Sequence, residues 1–222
     1  MKSATELQTH FLSTYLNLRI GMAALAIVFP PVLWFGGEKL GIPLRASMSE
    51  YYHAELCCGS MRDVFVGLLF SIGAFLYLYK GYSTQENIAL NVAGIFAAGI
   101  ALFPMEINCK PDCSYITPHG VCVLGFFSGI AFALWFCAKD TLSWLPDEND
   151  RRRYVMAYRI LGWLLPLSVV TAYGVTYWGR ALTSYVYFVE LFAVWTFAAY
   201  WIVKSLELKK SNAEVKALRG DA

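Results

Sequence analysis

The sequence predicts an all-α, polytopic membrane bundle of six transmembrane helices with both termini in the cytoplasm. Three observations lead there. Of 222 residues, 58% are hydrophobic and only 15% are charged, and the mean hydropathy is +0.49; soluble chains carry about a quarter charged residues. The apolar residues lie in long blocks, six of which approach the roughly 20 residues that cross a hydrocarbon core about 30 Å thick. The net charge is only +2, too even a balance for a nucleic-acid-binding surface. An ordinary soluble enzyme and a disordered regulator are excluded.

The spans are predicted at 20–37, 64–80, 88–104, 118–138, 160–178 and 185–203. Helices are required because lipid offers no partner for an open strand, and the alternation of a barrel is absent. Aromatic residues collect near span ends, among them Trp34, Phe35, Tyr77, Tyr79, Trp178, Tyr185, Tyr200 and Trp201, as interfacial belts do. The termini and the 2–3 and 4–5 loops hold 13 Lys and Arg against 5 on the other face, which places the termini in the cytoplasm. No cleavable signal peptide is expected, since residues 3–18 are polar and no small-residue cleavage site follows the apolar run.

Connections follow local rules. Ser60-Met61-Arg62-Asp63 and Ser83-Thr84-Gln85-Glu86 read as capping boxes, and Thr117-Pro118 reads as an N-cap with proline at the first helical position. Pro30-Pro31 and Pro166 should kink their spans. Ala89, Ala93, Ala97 and Ala101, with Gly125, Gly129 and Ala133, form small-residue stripes that suit close helix contact in lipid. Asn91 should hydrogen-bond across helices. Residues 204–222 are expected to form a charged cytoplasmic tail outside the domain 1–203.

The chemistry is expected on the extracytoplasmic side. Loop 38–63 holds Ser47, Ser49, Tyr51, Tyr52, His53, Arg62 and Asp63; loop 105–117 holds Glu106; His119 opens span 4 and Glu190 lies about five residues into span 6. Ionisable groups at membrane depth are expensive and are functional suspects. Arg62, Asp63, His119 and Glu190 are expected to form one network, and Ser47, Ser49, Tyr51, Tyr52 and Glu106 complete a ligand pocket. Structural readings compete: Asp63 as a capping acid, Arg62 at the headgroups, His119 as an interfacial residue. No cofactor is expected, zinc being the one metal for which His53, His119 and Asp63 offer ligand types. Cys57, Cys58, Cys109 and Cys113 are disulfide candidates on an oxidising face, with four cysteines allowing three complete pairings. Cys122 and Cys137, inside span 4, should stay reduced.

Ser47-x-Ser49-x-Tyr51-Tyr52 followed by Arg62-Asp63-Val64-Phe65-Val66-Gly67 resembles a family of bacterial six-helix integral membrane proteins of unknown function. The likeness continues through Tyr79-Lys80-Gly81-Tyr82, Glu86-Asn87, Asn91, Ala101-Leu102-Phe103-Pro104, His119 with Phe126-Phe127, and Glu190 to Lys204. It implies this fold and the bacterial inner membrane, and brings no activity; His53 and the cysteines fall outside its pattern. Ser49-x-x-x-His53 and Asp63 also resemble the first motifs of the CREST membrane hydrolases, which include alkaline ceramidases and adiponectin receptors. Their late His-x-x-x-His is missing here, and they have seven spans.

The leading functional expectation is therefore an extracytoplasmic pocket that binds a lipid or small-molecule ligand. The alternatives are a metal-dependent lipid amidase or other hydrolase, and a proton-coupled transporter using Asp63, His119 and Glu190 as relay groups. Membrane lipids are the expected partners, and nucleic acid is not.

Overall fold

The computed structural model describes residues 4–56, 59–106, 116–177, 184–212 and 215–216. Its elements are α1 (Ala4–Lys39), α2 (Met61–Leu78), α3 (Thr84–Leu102), α4 (Pro118–Phe132), α5 (Glu148–Tyr177) and α6 (Tyr185–Ser211). Among the described residues all six are long and apolar enough to cross a membrane, α4 by running on to Trp144. The predicted all-helical bundle is thus the observed one. A 3-10 turn (Ser49–His53) and a two-residue antiparallel pairing of Glu55–Leu56 with Gly59–Ser60 fill the connection between α1 and α2.

Each helix packs on the next in sequence, and α6 returns to α1, so the six form a closed ring. Residues from every helix enter one core. Along α1 that face is Met22, Ala26, Phe29 and Leu33, at the spacing of one helical stripe. Six antiparallel crossings leave two ends. The cap end carries the 3-10 turn and the connections α1–α2, α3–α4 and α5–α6. The terminal end carries both termini and the connections α2–α3 and α4–α5.

The small residues do what their spacing suggests. Ala89, Ala93, Ala97 and Ala101 are all buried. At the α2–α3 crossing, Gly73 and Gly94 face each other so closely that a Cβ on either would lie 2.7–2.8 Å from the other's carbonyl oxygen. No side chain fits there without separating the helices.

Of the local expectations, the caps of α3 and α4 hold and the capping box before α2 changes. Pro30 and Pro31 lie inside a continuous α1. A proline at position i leaves the carbonyl at i−4 without its helical donor. For Pro31 that carbonyl is Ile27, and it accepts instead from the Trp195 indole Nε1 of α6 at 3.3 Å. Likewise α5 runs through Pro166 unbroken. Ser83 caps α3 by accepting from Glu86 N at 3.3 Å, and Thr117 caps α4 by accepting from Gly120 N at 3.0 Å. Ser60 makes no such bond at α2, and Asp63 is exposed, so that capping box does not form. Beyond Phe132 helix α4 widens into a π-helical turn, Ala133–Cys137. Cys122 and Cys137 are free and buried, as expected. Cys57, Cys58, Cys109 and Cys113 lie outside the described residues.

Within the expected tail 204–222, residues 204–211 are instead the last two turns of α6, with Lys204, Glu207, Leu208 and Ser211 buried. The physical reason is phase. Tyr200, Trp201, Lys204, Glu207, Leu208 and Ser211 recur at helical spacing, so the charges extend the buried face rather than leave it.

Candidate functional site

At the cap end the 3-10 turn closes the bundle. Glu190 of α6, half-buried, accepts from Met48 N at 2.5 Å, and Tyr187 N donates to Ala46 O at 2.7 Å. Tyr51 is wholly buried, its ring 6.1 Å from that of Tyr187. Burial pushes the Tyr51 phenol above its ordinary range. Ser47 Oγ accepts from Glu50 N at 3.2 Å. These bonds tie loop to helix; Tyr51 OH stays buried without a partner.

His119 is held at both nitrogens. Its Nδ1 stands 2.8 Å from Phe103 O and its Nε2 3.1 Å from Ser49 Oγ. A carbonyl only accepts, so Nδ1 carries the proton and Nε2 accepts from the Ser49 hydroxyl. That is the order of contacts a serine nucleophile and its base require. Here Ser49 and His119 are each 7% exposed. His53 Nε2 donates to Met105 O at 2.7 Å, so both histidines grip the strand of chain that leaves α3.

The expected four-residue network divides. Arg62 pairs with Tyr52 OH at 2.9 Å and with Glu55 at 3.4 Å, its guanidinium 4.5 Å from the Tyr52 ring centre. Met61 and Phe65 take the buried face of α2, which turns Arg62 and Asp63 outward and away from His119 and Glu190. Glu106 is exposed as well. With His119 engaged at both nitrogens, His53, His119 and Asp63 do not converge; among the described residues no three His, Cys, Asp or Glu side chains are placed to hold a metal.

The densest polar group lies at the terminal end, where the sequence suggested none. Arg19 of α1, Glu86 of α3, Thr141 from the α4–α5 connection, and Lys204 and Glu207 of α6 are each at most 1% exposed. Lys204 Nζ donates to Thr141 Oγ1 at 2.9 Å and lies 3.3 Å from Glu207 Oε2. It also sits 5.6 and 5.8 Å from the ring centres of Tyr82 and Tyr158, within cation–π range. Tyr158 OH donates to the same Glu207 oxygen at 3.0 Å. Glu86, in the first turn of α3, accepts from Tyr82 N at 2.7 Å, at the positive end of that helix. Arg19 Nε donates to Ser205 Oγ at 3.3 Å.

Two cations and two carboxylates balance in charge, yet the hydrogen bonding is incomplete. Glu86 Oε1, Glu207 Oε1, Tyr200 OH and Trp201 Nε1 are buried with no protein partner. Each such group costs about 1–3 kcal/mol unless something satisfies it. The set offers acceptors and donors together, and the rings of Tyr79, Tyr158, Tyr200 and Trp201 pack edge-on or tilted against one another beside it. A small molecule carrying both kinds of group would match it. Asn91 Oδ1 is likewise buried without a partner, so the expected bond across helices is not made through that oxygen. One signal in the sequence pointed here, namely the apolar phase of α6 continuing through Lys204 and Glu207.

Comparison with protein-family models, with curated proteins and with solved structures finds no match to this chain.

Proposed function

We propose that this chain is an integral protein of the bacterial inner membrane, termini in the cytoplasm, that binds a small polar ligand at the terminal end of its bundle. The observation that carries the reading is the set of partnerless buried atoms, Glu86 Oε1, Glu207 Oε1, Tyr200 OH and Trp201 Nε1. The cap end also holds partnerless buried atoms, Arg45 Nε, Tyr51 OH and Ser60 Oγ, but Ser49, His119 and Glu190 there already bind one another or the backbone, whereas both buried carboxylates of the terminal end keep an unpartnered oxygen. The cap then serves as a lid that fixes α3, α4 and α6. Buried ionisable groups in membrane proteins pair with one another and mark solute or ion paths, and the neighbouring aromatic rings suit a ligand with an apolar portion.

Cys137 reports on the reading without any substitution. It ends the π-helical turn beside Ser83 and within electrostatic reach of Glu86 and Lys204. Cys122, on the same helix and also buried, lies toward the other end. A centre that exchanges solutes must open, so a membrane-impermeant methanethiosulfonate ammonium reagent should modify Cys137 in inside-out membrane vesicles, whose cytoplasmic face is outermost, and spare Cys122. Peptide-level mass spectrometry reads both thiols in the same sample. Equal inertness of the two thiols means a sealed ion cluster and ends the proposal.

A further inference from the structure

A second feature stands apart from the buried centre. Arg151, Arg152, Val155, Met156 and Arg159 line an open cavity of about 290 Å³ on the outward side of α5. Positions 152, 156, 159, 160, 163, 167 and 170 share one helix face, and all are exposed. From Met156 onward that face is apolar: Met156, Ile160, Trp163, Leu167 and Val170 are each more than half exposed. Trp163 leans on Trp135 of α4, ring centres 5.2 Å apart, which gives the stripe a firm flank. So a cluster of guanidinium groups heads a lipid-facing apolar strip about 21 Å long, at 1.5 Å per residue. One leaflet of hydrocarbon is about 15 Å deep.

The charge in the cavity is not neutralised. Arg152 and Arg151 both turn to Glu148, at 3.0 and 3.9 Å, so one carboxylate serves two cations. Arg159 makes no ion pair among the described residues. Asp150, the nearby acid that could relieve it, is taken by Lys210 of α6. Three guanidiniums against one carboxylate leave a surplus of two positive charges at the mouth. Guanidinium forks match the oxygens of a phosphodiester and can hold it through two bonds each.

Depth agrees. At about 45 Å, α5 outruns a core about 30 Å thick, so its first turns stand among headgroups. Arg159 lies about 16 Å from the start of α5, near the hydrocarbon boundary, with Arg151 and Arg152 further out. Long side chains at that level reach the phosphate plane.

We infer that the Arg151–Arg152–Arg159 cavity is a binding site for an anionic phospholipid, its phosphate held by the arginines and one acyl chain laid along Met156–Val170. The buried centre is not involved, and the site stands whether or not that centre takes a ligand.

The test uses the full chain in detergent, given equal amounts of dioleoyl-phosphatidylglycerol and dioleoyl-phosphatidylcholine, with retained lipid counted by native mass spectrometry. Wild type should retain the anionic lipid in preference. Juxtamembrane basic residues contribute about 1 kcal/mol each, or about fivefold, so Arg159→Gln should cut the preference about fivefold. Arg151→Gln/Arg152→Gln/Arg159→Gln should abolish it, and Arg159→Lys should keep part of it. Lys209→Gln, at the same end but on α6, should leave the preference in place. These side chains are exposed, and circular dichroism confirms that each variant is folded. Excess inorganic phosphate should fail to displace the lipid, because the apolar stripe holds the chain. Equal retention of the two lipids by wild type overturns the site, as does a preference that survives the triple substitution or a lipid that phosphate displaces.

Discussion

Lys204 shows how much a single position can hold. Its ammonium touches Thr141 and Glu207 and faces two tyrosine rings, with no exposure to solvent. Removing one partner of a buried pair costs about 3–5 kcal/mol because the other charge is stranded. Lys204→Met alone should therefore lower stability by about that amount. The double change Lys204→Met/Glu207→Leu should recover part of it, since an apolar pair strands no charge, although Tyr158 and Thr141 lose their partners. Thermal unfolding in detergent across the four members of the cycle measures the coupling. A double variant as unstable as the sum of the singles would mean that the two residues act independently. These two residues were the hardest to read from sequence. A hydropathy window ends where charges begin, so both fell into an expected tail, although their phase on α6 matches Tyr200 and Trp201. Glu190 and His119 were legible as buried polar residues, but not their partners, which are a backbone amide, a backbone carbonyl and a serine 70 residues away.

α1 illustrates the same lesson for an element. Its two prolines were visible, and the broken carbonyl at Ile27 follows from them by geometry alone. That an indole from α6 would answer it could not be read, since the pairing spans 168 residues. The bond has a distinctive signature. Trp195→Phe should cost about 1 kcal/mol in the native background, the net worth of an ordinary hydrogen bond. In a Pro31→Ala background residue 31 regains its N–H, Ile27 regains its helical donor, and the same change should cost close to nothing. Equilibrium unfolding of the four variants decides it, and a cost for Trp195→Phe that is unchanged by Pro31→Ala would show that the indole acts through packing alone. The number and order of the spans were legible because the bilayer sets a minimum length, but α1, α5 and α6 run well past the predicted spans, from Ala4, from Glu148 and to Ser211. The π-helical turn at Ala133–Cys137 was not, because nothing in Ala-Leu-Trp-Phe-Cys distinguishes it from an α-helix.

At the scale of the molecule, even helix number and the excess of basic residues at the terminal end give a topology that can be checked directly. Tags on either terminus should stay protected from external protease in intact cells and become accessible on permeabilisation. Digestion of the C-terminal tag from outside would reverse the orientation and move the arginine cavity to the outer leaflet. The fold class was readable because composition and length suffice for it. The order of helices around the ring was not, because which apolar face meets which is decided by crossings such as Gly73 on Gly94 and by long-range polar contacts.

Closure of the ring by α6 on α1 has a consequence for how the protein is made. Arg19 and Ser205, partners across that seam, are 186 residues apart, so the ribosome delivers one long before the other. At about 5–20 residues per second the interval is about 10–40 s. During it, a guanidinium near the membrane face lacks its eventual neighbour, and the first helix has an open flank. A nascent chain at that stage is a natural client for insertion factors and quality-control proteases, and a chain cut short before α6 keeps that flank open for good.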